Sequence, residues 1–185
     1  MFRLLPGAML LFAALLMCSC DSPTETEDLD DPVDVTAPGT VSARDGSNRS
    51  FVIQRGDDPS FDETRPYDWR VSFTVTMTLT DAAVNEDDWD MALPLKITAS
   101  TVTVQQASGG IVTPPTGTEV VHFEQGPASV SGNLLSDVGA TVTQNFDIWY
   151  WLPNGGKEAL ITVSYTFTDD DGATATDSVD VLVSS

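Results

Sequence analysis

The chain has 185 residues with 28 acidic against 8 basic, a formal charge of −20 and one histidine. So acidic a surface repels nucleic acid and anionic headgroups, which excludes both as ligands of the folded part. Both cysteines, Cys18 and Cys20, precede residue 21. The remainder therefore offers no disulfide, no thiol nucleophile and no cysteine metal site, and its stability must come from a core.

Residues 1–17 have the form of a secretion signal: Arg3, then an apolar run from Met9 to Met17. That run is too short for a membrane span, which needs about 20 apolar residues. Directly after it, Cys18-Ser19-Cys20-Asp21 resembles the cleavage region of a bacterial lipoprotein signal. The resemblance implies a signal peptide over 1–19 and a lipidated cysteine. Cys20 is preferred because the small Ser19 precedes it, with Cys18 as the alternative. It also implies attachment by acyl chains alone in the cell envelope, at the outer membrane or cell surface rather than the inner membrane.

Residues 20–50 read as the lipidated cysteine and a disordered acidic linker. The stretch is rich in Asp, Glu, Ser, Thr and Pro and lacks aromatics, so it buries too little to offset ordering. Its early acids resemble a lipoprotein surface-export signal and equally suit a solvated spacer.

Residues 51–185 read as one domain built from strands. Phe51 and Ile53 open a short strand. Val71, Phe73, Val75, Met77 and Leu79 alternate with Ser72 and threonines, which is the period of a half-buried strand. Leu95, Ile97 and Ala99 run in odd phase and Val102 and Val104 in even phase, predicting a β-bulge near Ser100 or Thr101. Further strands are expected at 120–124, 128–131 and 141–152, with turn-rich pieces at 56–66, 85–90, 108–118 and 125–127. Last comes a hairpin: Ile161, Val163, Tyr165 and Phe167 on one face, a turn at Asp169-Asp170-Asp171-Gly172, then Val179, Val181 and Val183. Strands without intervening helix argue an all-β, immunoglobulin-like sandwich of about seven to nine strands. The closing segment, YTFTDDDGATATDSVDVLV, resembles the end of PKD-type bacterial immunoglobulin-like domains. That resemblance implies the sandwich and carries over no functional residue.

Two acidic groups are candidates for calcium: Asp169–Asp171 at the hairpin tip, and Glu86, Asp87, Asp88 and Asp90. Neither has EF-hand spacing; turn formation with solvation is the preferred reading of the tip, and Glu86–Asp90 is the better candidate, but no metal site or cofactor is assigned. An acid excess with only Lys96 and Lys157 as lysines also suits a salt-rich setting. His122 reads as a sheet residue, no catalytic constellation is visible, and the expectation is a non-enzyme. On 141–152, Val142, Phe146, Ile148, Tyr150 and Leu152 share the expected core face. Trp149 and Trp151 share the other. Two outward tryptophans about 7 Å apart would suit a sugar face or a partner side chain. If the strand is buried on both faces at that end, under the 108–118 loop for example, they are core instead. The functional expectation is a membrane-anchored structural or protein-interaction module of the envelope. The alternative is a glycan-binding module using exposed aromatics.

Overall fold

The computed structural model describes residues 31–54, 62–85, 89–114, 120–126 and 129–184. Cys18, Cys20 and the acidic stretch 21–30 lie outside the described residues, as do Glu86, Asp87 and Asp88. Within them the regular structure is strand, apart from short 3-10 turns at Asp81–Val84 and Pro153–Gly155.

The chain forms an all-β sandwich. Its first sheet runs β1-β6-β11-β9, which are Val33–Thr36, Trp69–Leu79, Thr141–Trp151 and His122–Gln125. The short β3, Arg44–Asp45, also pairs with β6. The second sheet runs β10-β7-β12-β13-β2: Leu134–Leu135, Leu95–Ser108, Ala159–Thr168, Thr174–Ser184 and Thr40–Ser42. Here β8, Ile111–Thr113, is added to β7. A two-stranded hairpin, β4 (Ser50–Gln54) and β5 (Asp62–Pro66), stands apart from both sheets. The N-terminal segment changes sheet, with β1 antiparallel to β6 and β2 parallel to β13. That switch, with β6 beside β11 and β7-β12-β13 opposite, is the strand order of an immunoglobulin-like sandwich.

Alternation builds the core. Val71, Val75, Met77 and Leu79 of β6 face Ile161, Val163, Tyr165 and Phe167 of β12, and all are buried. Phe146, Ile148 and Tyr150 of β11 join them. Gln144 lies on the same face and is also buried, accepting a 2.8 Å hydrogen bond from the Tyr165 hydroxyl. Between β12 and β13 the turn needs Gly172 at φ +92, open to a residue without Cβ. Asp169 closes that turn. One of its carboxylate oxygens accepts the Ala173 N–H at 2.7 Å, and the other accepts the Ala92 N–H at 3.1 Å.

The linker expected over 20–50 is corrected from residue 33 onward. Val33 and Val35 are buried against β6, while Asp34 and Thr36 face solvent. A four-residue strand in acidic surroundings is too short for its period to stand out. The Val35 N–H also donates to an Asp177 carboxylate oxygen at 3.2 Å, which ties β1 to the second sheet. The expected bulge exists two or three residues early: β7 slips register at Thr98, between Ile97 and Ala99. Within the expected strand 128–131, described residues 129–131 are irregular and enter a turn, where Asn133 N–H donates to Val130. The pieces read as turn-rich at 56–66 and 108–118 hold β5 and β8.

The sandwich has two distinct ends. One gathers Asp31, residues 81–85 and 89–94, residues 137–140 and the Asp169–Gly172 turn, joined by Thr80 to Pro32, Gly139 to Leu79 and Met91 to Ala83 backbone hydrogen bonds. The other gathers the β3–β4 loop, the Gly109–Gly110 turn and residues 152–158. The chain enters the fold at the first end.

Candidate functional site

The richest cluster of aromatic and basic side chains lies on the outer face of the first sheet, toward the end opposite the chain's entry. Strand register sets it up: Trp149 of β11 lies beside Arg70 of β6 on one side and Glu124 of β9 on the other. One row along, Trp151 is beside His122, and Asp147 is beside Ser72. The β4–β5 hairpin folds over this face and brings Phe51 and Tyr67 onto Trp149.

The loop from β3 to β4 makes the close approach possible. Gly46 N–H donates to Asp68, and a Cβ at Gly46 would meet the Trp69 carbonyl oxygen at 2.4 Å. Glycine is therefore required for contact, not for conformational freedom. Asp45 accepts from the Ser47 N–H at 3.0 Å and from its hydroxyl at 3.1 Å, which holds the Asp45 carboxyl below its ordinary value. The next residues then reach the sheet. Asn48 accepts the Trp149 indole N–H at 2.8 Å, and the Arg49 guanidinium stacks 3.8 Å from the indole centroid. Arg49 pairs with Glu124, and Arg70, 4.7 Å from the same indole, pairs with Asp147 at 2.8 Å. The Ser72 hydroxyl, then Arg70, hold the Asp147 carboxyl low.

Trp149 is thus 4 % exposed, and the expectation of an outward aromatic pair at Trp149 and Trp151 is corrected. The cover is the β4–β5 hairpin with the residues that flank it; residues 115–118 of the 108–118 loop lie outside the described residues. The residues responsible, Asn48, Arg49, Phe51 and Tyr67, lie about a hundred positions away in sequence, beyond the reach of any periodicity argument. Trp151 is half-buried, with Arg65 4.9 Å above its ring and Phe51 6.1 Å away. Its indole nitrogen is buried without a hydrogen-bond partner among the described residues. His122 stacks on Phe51 at 4.4 Å, so its ring serves as an aromatic surface. Beside the cluster, a shallow cleft of about 370 Å³ is lined by Asp45, Ser47, Pro66, Tyr67, Trp69 and Gly155 among others.

The acidic candidates separate in space. Asp169 is committed to backbone N–H groups, chiefly that of Ala92, which keep its carboxyl low, whereas Asp170 and Asp171 are exposed. Asp90 is exposed at φ +47, and its partners Glu86, Asp87 and Asp88 lie outside the described residues. Among the described residues no group of three or more His, Cys, Asp or Glu is arranged to hold a metal ion. No described helix is long and apolar enough to cross a membrane. In its chemistry the Trp149 cluster is a fastening: cations stacked on indole, each neutralised by a carboxylate of the sheet. No family model matches the chain, and no curated protein matches it.

Proposed function

We propose that this chain is an envelope lipoprotein, anchored through Cys20, whose single sandwich acts as a structural or protein-interaction module. The observation that carries the reading is where the fold begins. With β1 starting at Val33, residues 21–32 separate Cys20 from the first described strand. Fully extended, that stretch reaches roughly 40 Å. Such a tether keeps the entry end, with Asp81 and the Asp169–Gly172 turn, nearest the membrane and turns the Trp149 end outward. Short reach suits a module that works against other envelope components. The PKD-type likeness of the closing hairpin belongs to the same reading. The glycan alternative relied on Trp149 and Trp151 as exposed aromatics, of which Trp149 is buried and Trp151 half-buried.

Fatty-acid labelling and membrane fractionation test the anchor. Cys20→Ser is expected to abolish labelling and release the protein, while Cys18→Ser leaves both intact. The reverse pattern would move the anchor to Cys18, and labelling of neither would end the lipoprotein reading.

A further inference from the structure

The first strand is seated by few contacts. β1 is four residues long, pairs with β6 among the described strands, and puts two side chains, Val33 and Val35, into the core. Just before it, the Thr80 hydroxyl and N–H donate to the Asp31 and Pro32 carbonyl oxygens at 2.6 and 3.1 Å. Its bond to the second sheet runs through a side chain: the Val35 N–H donates to the Asp177 carboxylate of β13 at 3.2 Å. A charged group therefore stands where another strand would supply a carbonyl.

The charged side chains around that seat, among the described residues, are acids. Asp31 and Asp34 line a cleft of about 340 Å³ with Thr80 and Asp81, and Asp177 lies on the β13 side. The β6 neighbours of β1's outward residues, Thr76 and Thr78, are uncharged. Lys96, beside Thr168, is exposed and faces out from the second sheet. Residues 21–43, 71–95, 123–156 and 158–185 contain no lysine or arginine, so the segments that build the entry end cannot neutralise it. Residues 21–30 and 86–88, outside the described residues, carry acids and no base. Burial, and then the charges of Asp31 and Asp34, push the Asp177 carboxyl up against the pull of the Ser178 and Val35 N–H groups. At the other end Glu124 and Asp147 each have an arginine. Here the relief is diffuse: counter-ions that shorten the range of the repulsion.

We propose that β1 is an ionic latch: it seats against β6 and Asp177 when counter-ions screen Asp31, Asp34, Asp81 and Asp177, and leaves as a unit when they do not, with the rest of the sandwich folded. Because β2 still pairs with β13, release stops at Gly39. On the lipoprotein reading, the chain between Cys20 and the first strand then grows from residues 21–32 to residues 21–39. Its extended reach rises from roughly 40 Å to roughly 65 Å. That consequence rests on the anchor; the latch itself does not, so loss of lipidation at Cys20 and failure of the latch are separate results.

The test is amide hydrogen exchange of the purified full chain at neutral pH in sodium chloride of about 0.01 M and about 1 M, between which the screening length falls from roughly 30 Å to roughly 3 Å. At the higher salt, Val35 should exchange as slowly as Val75 in the middle of β6. At the lower, Val35 should accelerate at least tenfold relative to both Val75 and Leu182. An acidic surface repels hydroxide most in low salt, which slows exchange, so acceleration there reports opening. Asp34→Asn with Asp177→Asn, which keeps an acceptor for the Val35 N–H, should remove most of that salt dependence. Asp180→Asn, an equal charge change on β13 where the carboxylate binds Thr162, should leave it intact. Equal acceleration of Val35, Leu182 and Val75 would mean general loosening and overturn the latch. So would a Val35 rate indifferent to salt in the unaltered chain, or an Asp180→Asn effect as large as that of the double variant.

Discussion

The main core and the cluster under the β4–β5 hairpin share one strand, β11, and are held by different means. Phe146, Ile148 and Tyr150 point into a core filled by alternating side chains from long, mutually paired strands. Trp149 and Trp151 point the other way, into a small cluster with Phe51 and Tyr67 beneath a hairpin that pairs with no other described strand. An isolated two-stranded hairpin is marginal in water. This one depends on aromatic packing and on two arginines stacked over Trp149. The lesson is that burial on both faces of a strand need not mean one cooperative unit. The inner face belongs to the sandwich, and the outer face belongs to a cover that can open by itself.

The largest effect expected is on the inner face. Phe146→Ala removes a ring 2 % exposed that stacks on Phe73 at 5.1 Å, and should cost about 3–5 kcal/mol in urea unfolding. Trp149→Ala should cost less in global stability, about 1–3 kcal/mol, because the cover can separate while the sandwich stays folded. Its signature is local: protease cleavage between β4 and β5 and faster exchange at Tyr67, whose N–H donates to Arg49. Equal global losses in the two variants would merge the regions into one unit and break the comparison.

A smaller, pH-dependent effect is shared by the two ends of the molecule. Asp147 in the cluster and Asp169 at the entry end both have carboxyl values below 3.8. In the fold they bind protons less readily than in the unfolded chain. The stability they contribute is therefore present in full above about pH 4–5 and lost as pH falls through their folded values. Asp177 runs the opposite way, raised chiefly by burial, so its contribution is greatest at low pH and fades as pH rises. Asp169→Ala should lower the melting temperature at pH 7 and flatten the acid limb of the stability curve. A variant curve parallel to the wild type through the acid range would show that Asp169 acts only by filling space.

The long strands were legible because Val71 to Leu79 and Ile161 to Phe167 carry several periods of alternation, and Gly172 marks the turn between the last pair. The short ones were not. Val33–Thr36 offers two apolar residues among acids, and Asp62–Pro66 ends in a proline permitted by its place outside the large sheets. Gln144 breaks the apolar pattern of β11, yet it is buried because Tyr165 supplies its hydrogen bond. The site was the least legible part. Its partners Asn48, Arg49 and Glu124 have no sequence relation to Trp149, and only the folding back of the β3–β4 loop over the sheet brings them together.

The central claim is that the segment after residue 32 is part of the sandwich and bridges its two sheets. Native-state amide exchange of Val35 and Leu182 tests it most directly. The Val35 N–H is bound to Asp177 across the sheets, and the Leu182 N–H donates to Gly39 at 3.0 Å. The account predicts that both amides exchange as slowly as those at the centre of β6. Exchange of Val35 at the rate of an unstructured peptide, with Leu182 accelerated alongside it, would contradict the account and return residues 33–42 to the tether.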